Sequence, residues 1–542
     1  MRSRAPGRSA RRAPESAASS WTRRTLISGA RTWSSLLVST GDPDRPARAC
    51  DTATEATVLR AETLWDIGYR TVGRYLTNVA GGTLDKRLKN SELDILLQMG
   101  FTVFPIFQEV GNTVSAFSYA KGRAAAQRAF AAAYRIRIPA GTTIYFAVDF
   151  DPTGTEITGS VIPYFQGIAS VMNQRAGYYR VGVYGTRNVC RQLDDADLAG
   201  TSFVAGMSTG YSGNLGFALP RNWAFDQIQE RTVGAGSGAI AIDKDVMSGR
   251  DPGLSARDPE GANDPFLRML DLVWMEALSW ISTHPGSAPA AELVCQFYRR
   301  SAHNNEQFTA LMGEVDQAFV NEVLAVLGAT DWDPNADATA KIAHPDFPAR
   351  SISADHLFAA LNGYLHRGIP TGGGTPDTAD IGGWAGDLIS TLNGYQAAVN
   401  AGYAGNLGDY AADTLLIDTD ALSNRFGLAD FVEDCTGFNV ANAYALNPAV
   451  GLPDHMRQAL SAATPRENCF MRFWRSRTHD SSASATALGE NTMAGSNGVL
   501  FDGIRSLLLL TGSPSVSLSD YSEQDRAALG RTFGDRLLAL RG

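Results

Sequence analysis

The chain of 542 residues is too long for one ordinary hydrophobic core and predicts two or three domains. With 44% hydrophobic and 19% charged residues, it has the composition of a globular protein rather than a disordered one. A net charge of −9 argues against a broad basic surface for nucleic acid, and no apolar run is long enough to span a bilayer.

The first 48 residues differ from the rest in being rich in Arg, Ser and Ala. We interpret residues 1–48 as a disordered or export-signal-like segment. The stretch TRRTLIS at 22–28 resembles a twin-arginine export signal, and ARAC at 47–50 offers a small-residue cleavage site. Arg31, however, interrupts the weak apolar region that such a signal needs. Two locations stay open: secreted or cell-wall associated if the signal is real, and cytoplasmic otherwise.

Strands and helices alternate over residues 49–252, as in an α/β domain. Helices are predicted at 58–68, 91–100, 121–136, 157–174 and 188–198, and strands at 48–51, 71–76, 102–109, 143–150, 180–185, 202–207, 223–229 and 239–246. The strands are apolar, as expected for a parallel sheet covered on both faces. They predict a compact (β/α)₈ TIM-barrel-like domain whose last helices are short or missing. A doubly wound open sheet is the alternative.

A polar segment rich in Gly and Pro follows at 253–263 and is predicted to be a linker. Beyond it, residues 264–542 carry apolar side chains at helical spacing and show no convincing strand alternation. We therefore predict an all-α C-terminal region. Its role does not follow from the sequence, and a protein partner for it stays open.

Two polar features of this helical region receive a structural interpretation. The acid-rich stretch 409–434 lacks the spacing of a calcium-binding loop and is interpreted as an exposed helix face. His356, His366 and Asp387 could meet in space, but we expect Asp387 to cap a helix or to be solvated.

Two carboxylates end the predicted fourth strand, in IYFAVDFDPTGTE at 144–156. Because successive side chains of a strand alternate between its faces, we expect Asp149 and Asp151 to point inward and Phe150 to face the helices. Their backbones would lie roughly 6.5–7 Å apart, which suits two carboxylates that flank one glycosidic bond. Aspartate also commonly caps turns, but two buried inward charges are costly without a purpose. We therefore interpret the pair as functional.

Further polar and aromatic side chains end the other predicted strands, where the loops of a barrel form its mouth. Asp51 follows the first strand and is a third candidate catalytic residue. The candidate substrate-binding residues are Arg74, Tyr75, Gln108, Glu109, Tyr184, Trp223, Gln227 and Asp243. Acids combined with aromatic rings describe a sugar-binding cleft better than a phosphate site. Asp245 is expected to be a turn or linker residue.

Histidine-dependent chemistry is not expected in the predicted barrel, since all seven histidines lie between His284 and His479. The absence of histidine from this part of the sequence argues against a Ser-His-Asp triad, a Cys-His pair or a histidine-ligated metal site in the barrel. GMSTG at 206–210 matches a nucleophile-elbow pattern around Ser208, but no helix is predicted to begin after it.

Several ordered stretches resemble a known family. YRTVGRYLTN, IYFAVDFDPTGTEI, FVAGMSTGYSGNLG and IAIDKDVMSGRDP are similar to the bacterial glycoside-hydrolase-like domain known as domain of unknown function 1906. The resemblance covers about residues 50–252, and the C-terminal half is not recognised. This family is related in fold to the family 25 lysozymes, which are (β/α)₈ barrels that cut peptidoglycan.

The resemblance also implies roles for individual acids. Lysozymes of this type place an aspartate after the first strand and an Asp-x-Glu pair after the fourth. Asp51 and Asp149 match the two aspartates, but Asp151 stands where the family has its catalytic glutamate. Aspartate is one methylene shorter, and a misplacement of about 1 Å can cost roughly a hundredfold in rate. Glu109, on the neighbouring predicted strand, could supply a carboxyl group that reaches the glycosidic oxygen.

The resemblance and the strand-end acids together predict a glycoside hydrolase-like protein that acts on cell-wall peptidoglycan by carboxylate acid/base hydrolysis. Asp151 would be the general acid, Asp149 would stabilise developing positive charge or position the N-acetyl group of the substrate, and Asp51 would be a supporting acid. No metal, cofactor or nucleic-acid partner is expected. The competing hypothesis is a non-catalytic glycan-binding barrel that targets a helical effector or partner-docking domain.

Overall fold

The computed structural model describes residues 42–299, 306–329, 341–418, 426–461 and 468–541. It divides the chain into two compact units, Met1–Asp258 and Pro259–Gly542. The twin-arginine-like stretch at 22–28 lies outside the described residues. Among the helices of the described ranges, none is both long and apolar enough to cross a membrane.

Eight strands close into a barrel in the first unit. Their bounds are β1 Ala49–Thr52, β2 Thr71–Tyr75, β3 Thr102–Phe107, β4 Thr143–Ala147, β5 Arg180–Gly185, β6 Thr201–Val204, β7 Trp223–Val233 and β8 Ile240–Met247. Each strand pairs with the next, and β8 closes onto β1. The predicted barrel is therefore confirmed, and the open-sheet alternative is wrong.

The last strand departs from the expected parallel arrangement. β8 runs antiparallel to both of its neighbours and pairs Asp243 with Asp51 of β1. Only residues 234–239, with one 3₁₀ turn at Gly236–Gly238, join β7 to β8. A parallel connection needs a crossover of about a dozen residues or more, so this short hairpin forces the antiparallel direction.

Helices cover the barrel, in agreement with the predicted order. They are α1 Val58–Ile67, α2 Asn90–Gln98, α3 Tyr119–Arg135, α4 Ile162–Gln174 and α5 Arg187–Asp195. One helical turn (Gly154–Glu156) and a π-helical turn (Ile157–Val161) lead into α4. Every residue between β6 and β8 is described, and the helical structure there, on either side of β7, consists of two 3₁₀ turns, Ser212–Asn214 and Gly236–Gly238. The last helices are therefore missing, as predicted.

Aromatic rings fill the interior of the barrel. Phe104 stacks on Phe225 with ring centres 4.0 Å apart, and Tyr145 and Phe203 meet Phe104 edge to face. Gly73 of β2 faces the same space, where an added Cβ would lie 2.4 Å from Phe104 Cζ. Because this interior is a packed core, a ligand of the barrel must bind at its mouth.

The segments on either side of the barrel pack onto it. Arg45 forms an ion pair with Asp226 of β7. The small-residue site at 47–50 lies partly in β1, where Ala49 and Cys50 are buried. Cleavage there would remove part of the first strand, so the structure argues against that site.

The predicted linker at 253–263 belongs in part to the barrel. Leu254 and Val103 exchange backbone hydrogen bonds of 2.8 and 2.9 Å, and the Asp258 N–H donates to the Arg137 carbonyl at 3.0 Å. The boundary between the two units falls after Asp258. A composition rich in Gly and Pro indicates turns, and it does not distinguish a turn packed on a sheet from a free linker.

The second unit is mostly helical, as predicted. Its helices are α6 Asp264–Thr283, α7 Ala290–Tyr298, α8 Glu306–Met312, α9 Gln317–Leu327, α10 Ala354–Arg367, α11 Trp384–Asn400, α12 Leu407–Thr414, α13 Leu428–Leu446, α14 Leu452–Ala459, α15 Cys469–Thr478, α16 Ser482–Ala494, α17 Val499–Thr511 and α18 Glu523–Leu540. They share a continuous apolar core, in which Trp384 stacks on Phe533 with ring centres 5.1 Å apart.

One feature of this unit is not part of the all-α prediction. β9 Lys341–His344 and β10 Phe347–Ser353 form a two-stranded antiparallel sheet. In β9 the residues alternate between exposed and buried, but over only four positions. A pattern that short does not distinguish a strand from a loop in the sequence.

Candidate functional site

A polar cavity of about 230 Å³ opens at the mouth of the barrel. It lies at the end where β2 to β5 finish, since Tyr75, Gln108, Asp149 and Tyr184 stand at or just beyond the ends of those strands. The predicted site residues that line it are Asp51, Tyr75, Gln108, Asp149, Tyr184, Gln227 and Asp243. The structure therefore brings most of the predicted residues together in one pocket.

A single side-chain amide joins two carboxylates of this pocket. Gln227 Nε2 donates to Asp51 Oδ2 at 2.8 Å and to Asp243 Oδ2 at 3.1 Å. The Tyr184 hydroxyl donates to Gln227 Oε1 at 2.8 Å. This third hydrogen bond fixes which end of the amide faces the acids, so both carboxylates are held in place.

The Asp51–Asp243 pair has raised pKa values. Burial, and after it the charge of Asp243, raises the pKa of Asp51 to about 8, although hydrogen bonds from Gln227 and Tyr75 act in the opposite direction. Burial, and after it Glu230, raises the pKa of Asp243 to about 6. Two interacting acids titrate as a unit, so the pair retains a proton near neutral pH.

A second set of contacts holds Asp149. Its Oδ2 accepts a hydrogen bond from Gln108 Nε2 at 2.9 Å. Lys86 Nζ donates to the Oε1 of the same glutamine at 3.3 Å and lies 4.2 Å from the ring centre of Tyr75. Burial raises the pKa of Asp149, whereas Gln108 and Lys86 lower it. Lys86 therefore brings a positive charge to an otherwise acidic pocket.

Asp245 is a buried acid whose position differs from the sequence expectation. It lies within β8, which continues to Met247, rather than in a turn, and its side chain is inaccessible to solvent. Burial, followed by the charges of Asp51 and Asp243, raises its pKa well above the usual value. Neither carboxyl oxygen of Asp245 has a hydrogen-bond partner among the described residues, so this position favours the neutral form of the side chain.

The closed barrel with acids at its mouth agrees with the resemblance found in the sequence. Residues 62–247 match the family model of the Rv2525c-like, glycoside hydrolase-like domain. The predicted resemblance is confirmed for these residues. A separate family model, that of the YkzU uncharacterised protein, matches residues 358–542 of the second unit.

Two curated relatives come from Bacillus subtilis (strain 168), and both are uncharacterised proteins. FadG is 42% identical over 298 residues, which are 53% of this chain and 52% of FadG. YbfG is 50% identical over 232 residues, which are 41% of this chain and 32% of YbfG. The chain therefore spans about half the length of the first relative and about a third of the second.

Solved structures also align with part of this chain. The Mycobacterium tuberculosis Tat-secreted protein Rv2525c, in complex with L-tartrate, is 20% identical with a TM-score of 0.32, over 38% of this chain and 98% of that chain. An uncharacterised B. stearothermophilus protein is 18% identical with a TM-score of 0.28, over 37% of this chain and 96% of that chain.

Asp151, the predicted general acid, lies outside the pocket of the glycoside hydrolase-like domain. Its carboxylate accepts hydrogen bonds from the backbone N–H groups of Ser212 at 2.6 Å and Gly213 at 2.9 Å. Burial alone would raise its pKa, but these hydrogen bonds lower it. Both aspartates lie beyond β4, which ends at Ala147, and a bend at Phe150 separates them, so the alternation of a strand does not carry over from Asp149 to Asp151. The expectation of two inward carboxylates is corrected to one.

Arg74 is buried on the outer side of the glycoside hydrolase-like barrel and does not reach the pocket. Its guanidinium forms a two-point ion pair with Glu92 of α2, at 2.6 and 3.0 Å, and also donates to the Thr52 carbonyl. Tyr75 lines the pocket, so its neighbour Arg74 must face the helices. The prediction that Arg74 binds substrate is corrected for this reason.

Glu109 and Trp223 also lie away from the pocket. Glu109 accepts hydrogen bonds from Arg128 of α3 at 2.9 and 3.2 Å. It lines a different cavity of about 340 Å³ beside that helix, so it does not replace the missing glutamate. Trp223 is the first residue of β7 and pairs with Ser202 near the start of β6, at the end of the barrel remote from the mouth.

Some pocket residues were not identified from the sequence. These are Ile106, Ala147, Phe203, Met207, Ser208 and Glu230, together with Lys86, which contacts Gln108. Glu230 lines the pocket because β7 continues to Val233, four residues beyond the predicted end of the strand. Residues 230–232 are polar, so the apolar pattern did not predict a strand there. Ser208 lies in the GMSTG stretch, on the loop that follows β6. Because such loops form the mouth of a barrel, this position could have indicated that Ser208 lines the pocket.

Proposed function

We propose that the barrel binds a glycan of the bacterial cell wall, peptidoglycan, and hydrolyses a glycosidic bond in it. The observation that carries the proposal is the convergence of Asp51, Asp149 and Asp243 on one polar pocket at the mouth of a glycoside hydrolase-like domain. Glycosidases use one protonated and one ionised carboxyl group around the bond that they cut. Because the three acids have different environments, one of them can stay protonated while another is ionised.

In this proposal the Asp51–Asp243 pair donates the proton. Asp243 is the more exposed member, and the pair retains a proton near neutrality. Burial raises the pKa of Asp149, and the hydrogen bond from Gln108 and the charge of Lys86 partly offset this effect. In the ionised form, Asp149 would stabilise positive charge at the anomeric carbon or position the N-acetyl group. The glycosidic C–O bond breaks as its oxygen takes the proton. Water then adds to the anomeric carbon and returns a proton to the carboxylate left behind.

The size and lining of the pocket favour a sugar. A cavity of about 230 Å³ is smaller than the roughly 300–1,000 Å³ of drug-sized ligand pockets, and it suits one sugar ring of a longer chain. Tyr75 and Tyr184 supply ring faces, and Gln108 and Gln227 supply amides for hydroxyl groups. The choice of peptidoglycan rests on the resemblance to family 25 lysozymes, which is an argument from analogy.

A second candidate function is glycan binding without cleavage. The observation that favours it is the position of Asp151, which stands where the lysozyme-type family has its catalytic glutamate. Its carboxylate is engaged with Ser212 and Gly213 instead of the pocket. In that case the barrel would direct the helical unit to cell walls.

Cleavage and binding can be measured separately with the full chain and purified bacterial cell walls. Release of soluble reducing ends reports hydrolysis, and co-sedimentation with insoluble walls reports binding. The variants are Asp149→Asn and Asp243→Asn, and the matched control is Asp66→Asn, which neutralises an exposed acid on α1. We expect both pocket variants to lower the release rate by about 100-fold or more, and the control to leave it unchanged.

The outcomes distinguish the two functions. Release by the wild type that both pocket variants lose, with binding retained, supports hydrolysis. Binding without release, weakened by Asp149→Asn, supports the glycan-binding barrel. Absence of both release and binding rejects both proposals.

We also propose that the protein is exported, as Rv2525c is described to be. The support in this chain is the twin-arginine-like stretch at 22–28. Replacing Arg23 and Arg24 with lysine should retain the protein inside the cell. Unchanged appearance of the variant in the culture medium would reject this route.

A further inference from the structure

The second unit contains a partly buried cluster of one histidine and four acids, unrelated to the barrel pocket. His356 lies near the start of α10, and Asp387 in the first turn of α11. Three acids of α13 complete the cluster: Asp430, Glu433 and Asp434, which share one helix face. We call this group the His356 cluster. Glu433 and Asp434 are buried, so the interpretation of this stretch as an exposed helix face is wrong at these positions.

Glu433 fixes the orientation of the imidazole. Its Oε2 lies 2.6 Å from His356 Nδ1, and its Oε1 accepts a hydrogen bond from the Ser353 backbone N–H at 2.5 Å. When a carboxylate accepts the Nδ1 proton of a neutral imidazole, Nε2 carries the lone pair that can bind a metal ion. The same carboxylate–histidine arrangement orients histidine ligands in metal sites.

The other nitrogen of the ring faces two carboxylates. His356 Nε2 lies 3.1 Å from Asp387 Oδ2 and 3.8 Å from Asp434 Oδ1. Asp434 has no solvent exposure, and neither of its oxygens accepts a hydrogen bond from any residue that the structure describes. A buried carboxylate in this state is costly unless a cation balances it.

The protein itself supplies little positive charge at this place. All the ion-pair contacts that these four acids make with described residues come from His356. One imidazolium would still face four acids. The N-terminal ends of α10, α11 and α13 favour negative charge nearby, yet none of their N–H groups reaches Asp434.

We propose that His356 Nε2, Asp387 and Asp434 bind a divalent transition-metal ion, with Glu433 orienting the histidine. Ligand bonds of about 2.0–2.2 Å place neighbouring ligand atoms roughly 3–3.6 Å apart, which is close to the 3.1 and 3.8 Å separations observed. A nitrogen donor beside two carboxylates suits zinc or manganese, whereas calcium and magnesium prefer sites made of oxygen alone.

The site is accessible from solvent and shaped for these ligands. The side chains of His356 and Asp387 are 18% and 23% exposed, which leaves an entry path and room for a water ligand. Gly383 precedes α11, and a Cβ added there would lie 2.8 Å from Asp434 Oδ1. Glycine at this position therefore leaves the space that the Asp434 carboxylate occupies.

Calorimetric titration of the chelator-treated full chain with Zn²⁺, and separately with Mn²⁺, tests the proposal. We expect one ion to bind per chain. Asp434→Asn and Asp387→Asn should weaken binding more than Glu433→Gln, for which loss of an orienting contact predicts a change of about 10- to 100-fold. The matched control is Asp409→Asn, which removes an exposed acid from the first turn of α12 and should bind as the wild type does.

Thermal unfolding provides a second readout that misfolding cannot imitate. Without metal, Asp434→Asn should melt above the wild type, because it removes an unbalanced buried charge, but added Zn²⁺ should no longer raise its Tm. Lack of binding of either ion to the wild type would overturn the proposal. Binding that persists in both aspartate variants would also overturn it, since the ion would then lie elsewhere, for example at His344, Asp346 and Cys469.

Discussion

Asp51 and Asp243 lie opposite each other on neighbouring antiparallel strands and share one hydrogen-bond donor, the amide of Gln227. This relationship exists because a hairpin, and not a helical crossover, joins β7 to β8, so that β8 runs antiparallel to β1. A strand running in the parallel direction would present a different residue to Asp51. The hairpin therefore places these two carboxyl groups beside each other, where the charge of Asp243 adds to the effect of burial on the pKa of Asp51.

The raised pKa of Asp51 predicts how the stability of the barrel depends on pH. Between about pH 4, where this carboxyl titrates in the unfolded chain, and its folded pKa of about 8, the native state holds a proton that the unfolded state lacks. The free energy of unfolding should therefore fall as pH rises through this window, by at most about 1.4 kcal/mol per pH unit. Asp51→Asn should flatten this dependence and be more stable than the wild type at pH 9. Amide hydrogen exchange of peptides from β1, measured from pH 5 to 9 and corrected for intrinsic exchange rates, checks this, and identical pH slopes would contradict it.

Removal of the shared amide should be strongly destabilising. Gln227→Leu leaves Asp51, Asp243 and the Tyr184 hydroxyl without a common partner, and each buried group left unpaired costs about 1–3 kcal/mol. It should also raise the pKa of Asp51 further, because the Gln227 hydrogen bond lowers it. Gln229→Leu makes the same chemical change at a half-exposed position and should alter stability by about 0.5 kcal/mol or less. Denaturant unfolding compares the two variants, and equal effects would show that the amide is not important.

Asp151 should matter for the loop and not for catalysis. Asp151→Asn weakens the acceptor for Ser212 and Gly213, so we expect faster amide exchange at residues 208–215. The pKa of Asp151 is lowered, so this stabilisation is present at neutral pH and is lost as pH falls through the folded pKa. Hydrolysis of cell walls should change less than threefold, in contrast to Asp149→Asn. A hundredfold loss in Asp151→Asn with an unchanged loop would restore it as the general acid.

The space around Gly73 predicts a packing effect. In Gly73→Ala the new methyl group would meet Phe104 at 2.4 Å and the Cβ of Asp51 at 2.8 Å, and overpacking of this kind typically costs about 1–3 kcal/mol. The double variant with Phe104→Leu should regain part of the loss. Gly154→Ala is the control, since a Cβ there would contact nothing within 4 Å. Thermal unfolding measures all three, and a Gly73→Ala variant as stable as the control would be inconsistent with the observed packing.

Local sequence patterns predicted the barrel well. The eight strands and five covering helices follow from apolar runs separated by turn residues, and each observed element overlaps its predicted range. The same alternation placed Tyr75 and Asp149 toward the pocket. It failed at Asp151 because the chain bends at Phe150, beyond the end of β4. It was not applied at Arg74, whose neighbour Tyr75 already occupied the inner face.

What the sequence determined by itself is the set of elements and the presence of acids at the ends of strands, because both depend on neighbours within a few residues. The tertiary structure decided which acids meet. Asp51 and Asp243 are 192 positions apart in the printed sequence, and His356 and Asp434 are 78 positions apart. Their encounters depend on the direction of β8 and on the packing of α10 against α13, which no short pattern encodes. Burial and the proximity of like charges, which set the pKa values, arise only after those contacts form.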